Sequence, residues 1–68
     1  MTAVVNGERR ELANGTTVAG LVVELGMPAD ARGIAVALDG EVVPRTQWER
    51  RAVRDGAHVE VLTAMQGG

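Results

Sequence analysis

Apolar and polar positions alternate with a strand's period through most of the chain and with a helix's period in one stretch. Met1-Thr2-Ala3-Val4-Val5 is a short apolar, β-branched run that predicts a strand. Asn6-Gly7 follows, a hairpin signal because a type I′ turn needs positive φ at both central residues. Glu8 to Ala13 is expected to return antiparallel. Its polar middle (Glu8, Arg9, Arg10, Glu11) suits an edge strand, and Leu12 carries the core contact. Asn14-Gly15 marks a second turn. Thr17 is a candidate N-cap for a helix beginning at Val18, in which Val18, Leu21, Val22 and Leu25 fall at i, i+3, i+4 and i+7. Gly26 suits the position just past the helix end, and Pro28 opposes continuation. Gly20 costs the first turn roughly 1 kcal/mol relative to Ala, so this short helix needs a sheet to hold it.

After a polar connector from Pro28 to Gly33, Ile34-Ala35-Val36-Ala37-Leu38 is a continuous apolar run of strand length. Asp39-Gly40 is a further hairpin signal, returning through Glu41-Val42-Val43 until Pro44 stops the ladder. The charged stretch Arg45 to Arg54 surrounds Trp48 and predicts one helical turn, with the indole covering an end of the core. Asp55-Gly56 turns the chain into a last strand, His58 to Thr63. Val59 and Val61 face one way there, and His58, Glu60 and Leu62 the other. The order is strand, strand, helix, strand, short strand, strand. One helix cannot cover both faces of such a sheet, which makes this a two-layer α+β domain.

The uncovered face of that sheet is expected to be polar where it meets water. The alternation instead puts Val4, Ala35, Ala37 and Leu62 on it, opposite the side taken by Val5, Val36, Leu38 and Val61. If those four gather, they form an apolar patch of the kind that marks a partner site, although single exposed apolar residues are ordinary.

Composition narrows the picture. Sixty-eight residues make one small domain near the lower limit for an unaided hydrophobic core, and 46% hydrophobic residues argue for a folded chain. With one Trp and no Tyr or Phe, that core is built from Val, Leu, Ile, Ala and Met. A net charge of −2 and the missing aromatic stacking set speak against nucleic acid as a partner. No apolar run is long enough to span a bilayer and no signal-peptide pattern is visible, so no membrane association and a cytoplasmic location are expected.

Side-chain chemistry has few candidates. There is no cysteine, so no thiolate nucleophile, disulfide or thiolate metal site. His58 is the single histidine, without a second one to share a metal, and it sits in a strand. The glycines are scattered at turns, not gathered in a phosphate loop. Asp39, Glu41, Glu49 and Asp55 lie in turns and in the charged connector, where solvated surface is the default. Serine is absent, and Thr16, Thr17, Thr46 and Thr63 have no adjacent base. No catalytic residue and no metal site are expected, and the chain is not expected to be an enzyme.

What remains is the end of the sequence. Residues 64–68, Ala64-Met65-Gln66-Gly67-Gly68, carry no turn chemistry and are expected to form a flexible tail behind a domain of residues 1–63. Extended, five residues reach roughly 16 Å. Two glycines without Cβ pass through a slot too narrow for other residues. A terminal carboxylate on such a tail suits an adenylating enzyme, which would activate it with ATP and open it to a nucleophile. With a sulfur nucleophile the product is a thiocarboxylate. A frayed terminus without function is the alternative.

The elements in this order resemble the β-grasp (ubiquitin-like) fold, with a mixed sheet of four to five strands on one main helix. More narrowly, the chain resembles the ThiS family, the sulfur carriers of thiamine thiazole biosynthesis, over its full length. The residues that carry the resemblance are Asn6-Gly7 after the opening strand, Gly15-Thr16-Thr17-Val18, the block from Val36 through Asp39-Gly40 to Val42-Val43-Pro44-Arg45 with Trp48, Asp55-Gly56, and Val61 through Gln66-Gly67-Gly68. Asp39 stands where the family more often has Asn, and Gly20 where a better helix former is expected. The resemblance implies that a ThiF- or MoeB-type adenylating partner activates the Gly68 carboxylate. Sulfur mobilised by a cysteine desulfurase or rhodanese-like protein then makes the thiocarboxylate, and thiazole synthase (ThiG) receives that sulfur. Gly68 would be the modified residue, Gly67 would give backbone access, and Gln66, Met65 and Ala64 would line the partner's channel; Leu62 and Val4, from the alternation, are the expected docking residues. ATP and magnesium would belong to the partner, with no cofactor bound by this chain.

Other destinations fit the same tail. A carrier for molybdopterin synthase or for a cysteine synthase would end in Gly-Gly too, although the short length and the Val-Pro-Arg…Trp block favour thiamine. A ubiquitin-like conjugated modifier and an inert interaction module complete the alternatives.

Overall fold

The computed structural model describes residues 1–27 and 32–63. Among them five strands form one mixed sheet: β1 (Thr2–Val5), β2 (Glu8–Glu11), β3 (Ile34–Leu38), β4 (Glu41–Val42) and β5 (His58–Thr63), in the spatial order β2-β1-β5-β3-β4. One α-helix, α1 (Val18–Glu24), lies on one face, and a single 3₁₀ turn occupies Arg45–Gln47. This is the β-grasp arrangement that the order of elements predicts, with β2 at an edge and one sheet face left without a helix.

The strand formed last in sequence takes the middle of the sheet. β5 runs parallel to β1 and antiparallel to β3, with Val4 opposite His58 and Val36 opposite Val61. Alternation does the rest: Val59 and Val61 are buried while His58, Glu60 and Leu62 are exposed. Against Val59 and Val61 pack Ala3 and Val5 from β1, Val36 and Leu38 from β3, and Val18, Leu21 and Val22 from α1. Leu12, just past β2, joins them as expected.

Helix α1 is only seven residues long and would not persist alone. Both ends are closed by specific bonds. At the start, the Thr17 hydroxyl accepts from the Gly20 N–H at 3.2 Å. The Val18 and Ala19 N–H groups donate to the Arg51 and Trp48 carbonyls at 2.9 and 3.0 Å, so the connector docks onto the helix N-terminus. At the other end Gly26 has φ 89°, the Gly26 N–H donates to the Val23 carbonyl at 2.9 Å, and the Met27 N–H donates to the Val22 carbonyl at 3.2 Å. That bond pair is a Schellman motif. The Arg10 guanidinium on β2 reaches the Glu24 carbonyl at 3.4 Å, placing a cation beside the helix C-terminus.

Trp48 seals the end of the core, as its isolated position in the charged connector suggests. It is 2% exposed, and its indole N–H donates to the Val43 carbonyl at 3.0 Å. Arg45 stacks over the ring, 4.5 Å from its centroid. The connector contributes Val53 to the core as well, with Ala57 just beyond the following turn, so it is a structural element and not a solvated loop.

Two measurements test this account. A Cβ at Gly20 would meet Thr17 Oγ1 at 3.5 Å and Thr16 Cγ2 at 3.8 Å, which are ordinary contacts. Gly20→Ala should therefore stabilise the domain by about 0.5–1 kcal/mol in urea titration, and a loss of stability would mean the helix start is tighter than described. Glu11 accepts from the Thr2 hydroxyl at 2.8 Å and lies 3.4 Å from the Met1 amino group. These bonds, the Thr2 hydroxyl foremost, hold its carboxyl below the usual value of 4.5. A lowered folded pKa contributes stability above the unfolded pKa that disappears as pH falls through the folded value. Glu11→Gln should flatten the acid-side decline of the melting temperature, and an unchanged slope would contradict it.

Candidate functional site

The face of the sheet opposite α1 is where a partner can reach, and its residues follow from register. Directly paired residues on neighbouring strands share a face, so Ala35 lies beside Leu62, and Ala37 beside both Val42 and Glu60. Leu62 is 65% exposed and Val42 69%, which makes them the most prominent apolar side chains on this face. Val4 is half-buried and pairs with His58. Leu62 is four residues further along β5, roughly 13 Å away at strand spacing. The four expected apolar positions therefore do not make one patch. Leu62, Ala35, Ala37 and Val42 group over β5, β3 and β4, while Val4 belongs to a separate groove by His58.

Val42 was not singled out from the sequence. The signal was present in β4, because Val43 is buried and alternation sends its neighbour to the other side.

β5 is held in place by side chains as well as by its ladder. Along the β1 edge, backbone bonds run from the Val4 N–H to the Ala57 carbonyl (2.8 Å) and from the Asn6 N–H to the Val59 carbonyl (2.9 Å). At one end the Asp55 carboxylate accepts from the Thr2 N–H at 2.8 Å. At the other the Asn6 amide does a strand residue's work: its oxygen accepts from the Val61 N–H at 2.8 Å and its nitrogen donates to the Val61 carbonyl at 3.3 Å. Along the β3 edge Asp39 does likewise, its N–H donating to the His58 carbonyl at 2.7 Å and its carboxylate accepting from the His58 N–H at 2.9 Å. Asn6 and Asp39 both have φ 51°, followed by Gly7 and Gly40 at 84° and 85°, so both hairpins are the type I′ turns the dipeptides predict.

Among the described residues no three His, Asp or Glu side chains come together in a metal-ligating group. No helix among them is long and apolar enough to cross a membrane. Thr63 ends β5 beside Ile34. The expected tail residues Ala64, Met65, Gln66, Gly67 and Gly68 lie outside the described residues, as does most of the polar connector after α1.

A sheet ordered β2-β1-β5-β3-β4 over one helix, with both type I′ turns clamping the central strand, defines a β-grasp domain of the ubiquitin-like kind. The chain belongs to the ThiS family, whose model matches residues 3–68. It is 33% identical over 70 residues to the sulfur carrier protein ThiS of Escherichia coli, an alignment covering all of both chains. It is also 38% identical over 68 residues to a thiazole synthase of Paramagnetospirillum magneticum, where the whole chain spans 20% of the longer relative. The crystal structure of the thiamine biosynthesis protein ThiS from Geobacter metallireducens superposes with a TM-score of 0.82 at 36% identity, covering 100% of each chain.

The Asn6 clamp is testable without disturbing the turn. Asn6→Gly keeps the positive φ but removes both bonds to Val61. A loss of about 1–2 kcal/mol in urea unfolding and faster hydrogen exchange at the Val61 amide are expected. Wild-type stability with unchanged exchange would show that the amide adds nothing to the ladder.

Proposed function

We propose that this chain is a sulfur carrier of thiamine biosynthesis whose working group is the carboxylate of Gly68. The observation that carries the reading is the alignment with the Escherichia coli carrier, which covers all of both chains and agrees with the family match over residues 3–68. In this reading a ThiF- or MoeB-type partner binds the domain and takes residues 64–68 into its active site. The Gly68 carboxylate attacks the α-phosphorus of ATP, pyrophosphate leaves, and a glycyl adenylate forms. ATP and magnesium sit in the partner. A sulfur nucleophile then attacks the acyl carbon and AMP departs. Hydrosulfide yields the thiocarboxylate directly. With a persulfide from a cysteine desulfurase or rhodanese-like donor, a second thiol closes a disulfide on the donor and frees the thiocarboxylate.

The acceptor is a thiazole synthase. The likeness to a relative of that name, in which a stretch matching this whole chain makes up a fifth of the length, supports proximity between carrier and synthase. Gly67 gives the partner's channel a backbone without Cβ, and Gln66, Met65 and Ala64 follow it in. Leu62 and Val4 contact the partner from the open face, Leu62 closest to the tail. The domain is a handle, not a catalyst. In this reading the protein works in the cytoplasm.

Incubation with the adenylating enzyme of the same organism, ATP, magnesium and a sulfur source should raise the intact mass by one oxygen-to-sulfur exchange, localised to Gly68 by fragmentation. The variant lacking Gly68 should stay unmodified. Absence of the exchanged species in the wild type, with an adenylating enzyme shown to be active, would overturn the carrier function. A ladder of larger adducts on lysines of other proteins would replace it with a conjugated modifier.

A further inference from the structure

The open face carries a groove that the tail chemistry does not use. It has a volume of about 570 Å³ and runs between the two type I′ turns, over Val4 and His58, with Asp39 and Glu60 along it. Gly7 and Gly40 stand at its ends, and an added Cβ at either would meet nothing within 4 Å, so the turns leave the ends open. Val4 gives it an apolar contact surface, and Val59 lines it as well.

Its charge is one-sided. Asp39 uses one carboxylate oxygen to accept from the His58 N–H. Neither Asp39 nor Glu60 forms an ion pair among the described residues, whereas Glu11, Glu24 and Glu41 each have a cation within 4.0 Å. The nearest cation by register is Arg9, which pairs with Val4 from the edge strand but does not line the groove. A metal ion is a poor occupant, because the three titratable groups here do not form a ligating cluster. The fit is to a group with an apolar stem and a cationic head. An arginine or lysine side chain supplies both, laying its methylenes over Val4 and its charge against Asp39 and Glu60.

We propose that this groove receives a basic side chain of the adenylating partner, so that the partner holds β5 at its start as well as the tail beyond its end. The proposal rests on the carrier reading for the partner's identity. The groove lies at the start of β5 and Thr63 at its end, and β5 is clamped along both edges, so a contact near His58 orients the strand end from which the sequence continues. The charged contact sits where it sets encounter rate and register, while the apolar group around Leu62 supplies buried area.

The test uses full-length protein and the adenylating enzyme of the same organism, with affinity measured by titration calorimetry at several salt concentrations. Asp39→Asn keeps an amide oxygen for the His58 N–H and tolerates the turn's positive φ, and Glu60→Gln changes only charge on an exposed strand position. The double variant should melt like the wild type and bind about tenfold more weakly, with a shallower dependence of log Kd on log salt. Glu60→Arg should weaken binding further. Wild-type affinity and salt slope in a folded double variant would overturn the groove while leaving the carrier reading intact. A wild-type protein that the same enzyme neither binds nor loads with sulfur would overturn the carrier reading, and the proposed partner with it.

Discussion

The pairing of β5 into the centre of the sheet is the interaction on which everything else rests. Until His58–Thr63 lies between β1 and β3, the sheet is two separate hairpins and α1 has no floor. The pairing is reinforced at three corners by side chains that stand in for backbone: Asp55 toward Thr2, Asn6 toward Val61, and Asp39 toward His58. Asn6 faces both an N–H and a carbonyl of Val61, so an amide with a donor and an acceptor fits. Asp39 faces an N–H and needs only an acceptor. A strand held this way is a stiff support for whatever follows Thr63.

The second constraint is size. A sheet this small with a seven-residue helix cannot rely on helix propensity, and the connector 45–54 meets that need. It terminates the helix dipole's orphan N–H groups with the Arg51 and Trp48 carbonyls and closes the core with Trp48 and Val53. With the helix and the connector both packed into the core on one side, the other face of the sheet is left uncovered among the described residues.

Local order was legible in the sequence. Turn dipeptides at Asn6-Gly7 and Asp39-Gly40, the Thr17 cap, the Val18-Leu21-Val22 stripe and the alternation in 58–63 each depend on neighbours in the chain, and each appears in the structure. Sheet order was not legible from alternation, because which strands pair is decided by contacts far apart in sequence; the family resemblance implied a mixed β-grasp sheet but no strand order. The same gap hid the groove, whose residues come from β1, two turns and β5, and it joined Val4 to Leu62 in a patch that the register divides. The charged look of Arg45–Arg54 concealed a core element, since its buried residues are spaced too irregularly to show a period. The tail was reached by exclusion and by resemblance, not by any pattern of its own.

In the proposed function, sulfur leaves this protein from Gly68 to complete a thiazole. Loading the protein with isotopically labelled sulfur, purifying it away from the activating enzyme and adding thiazole synthase with its other substrates tests that directly. The label should appear in the thiazole product as Gly68 returns to a carboxylate. Label that stays on the carrier, while a thiocarboxylated carrier known to serve the same synthase is consumed, would contradict the account.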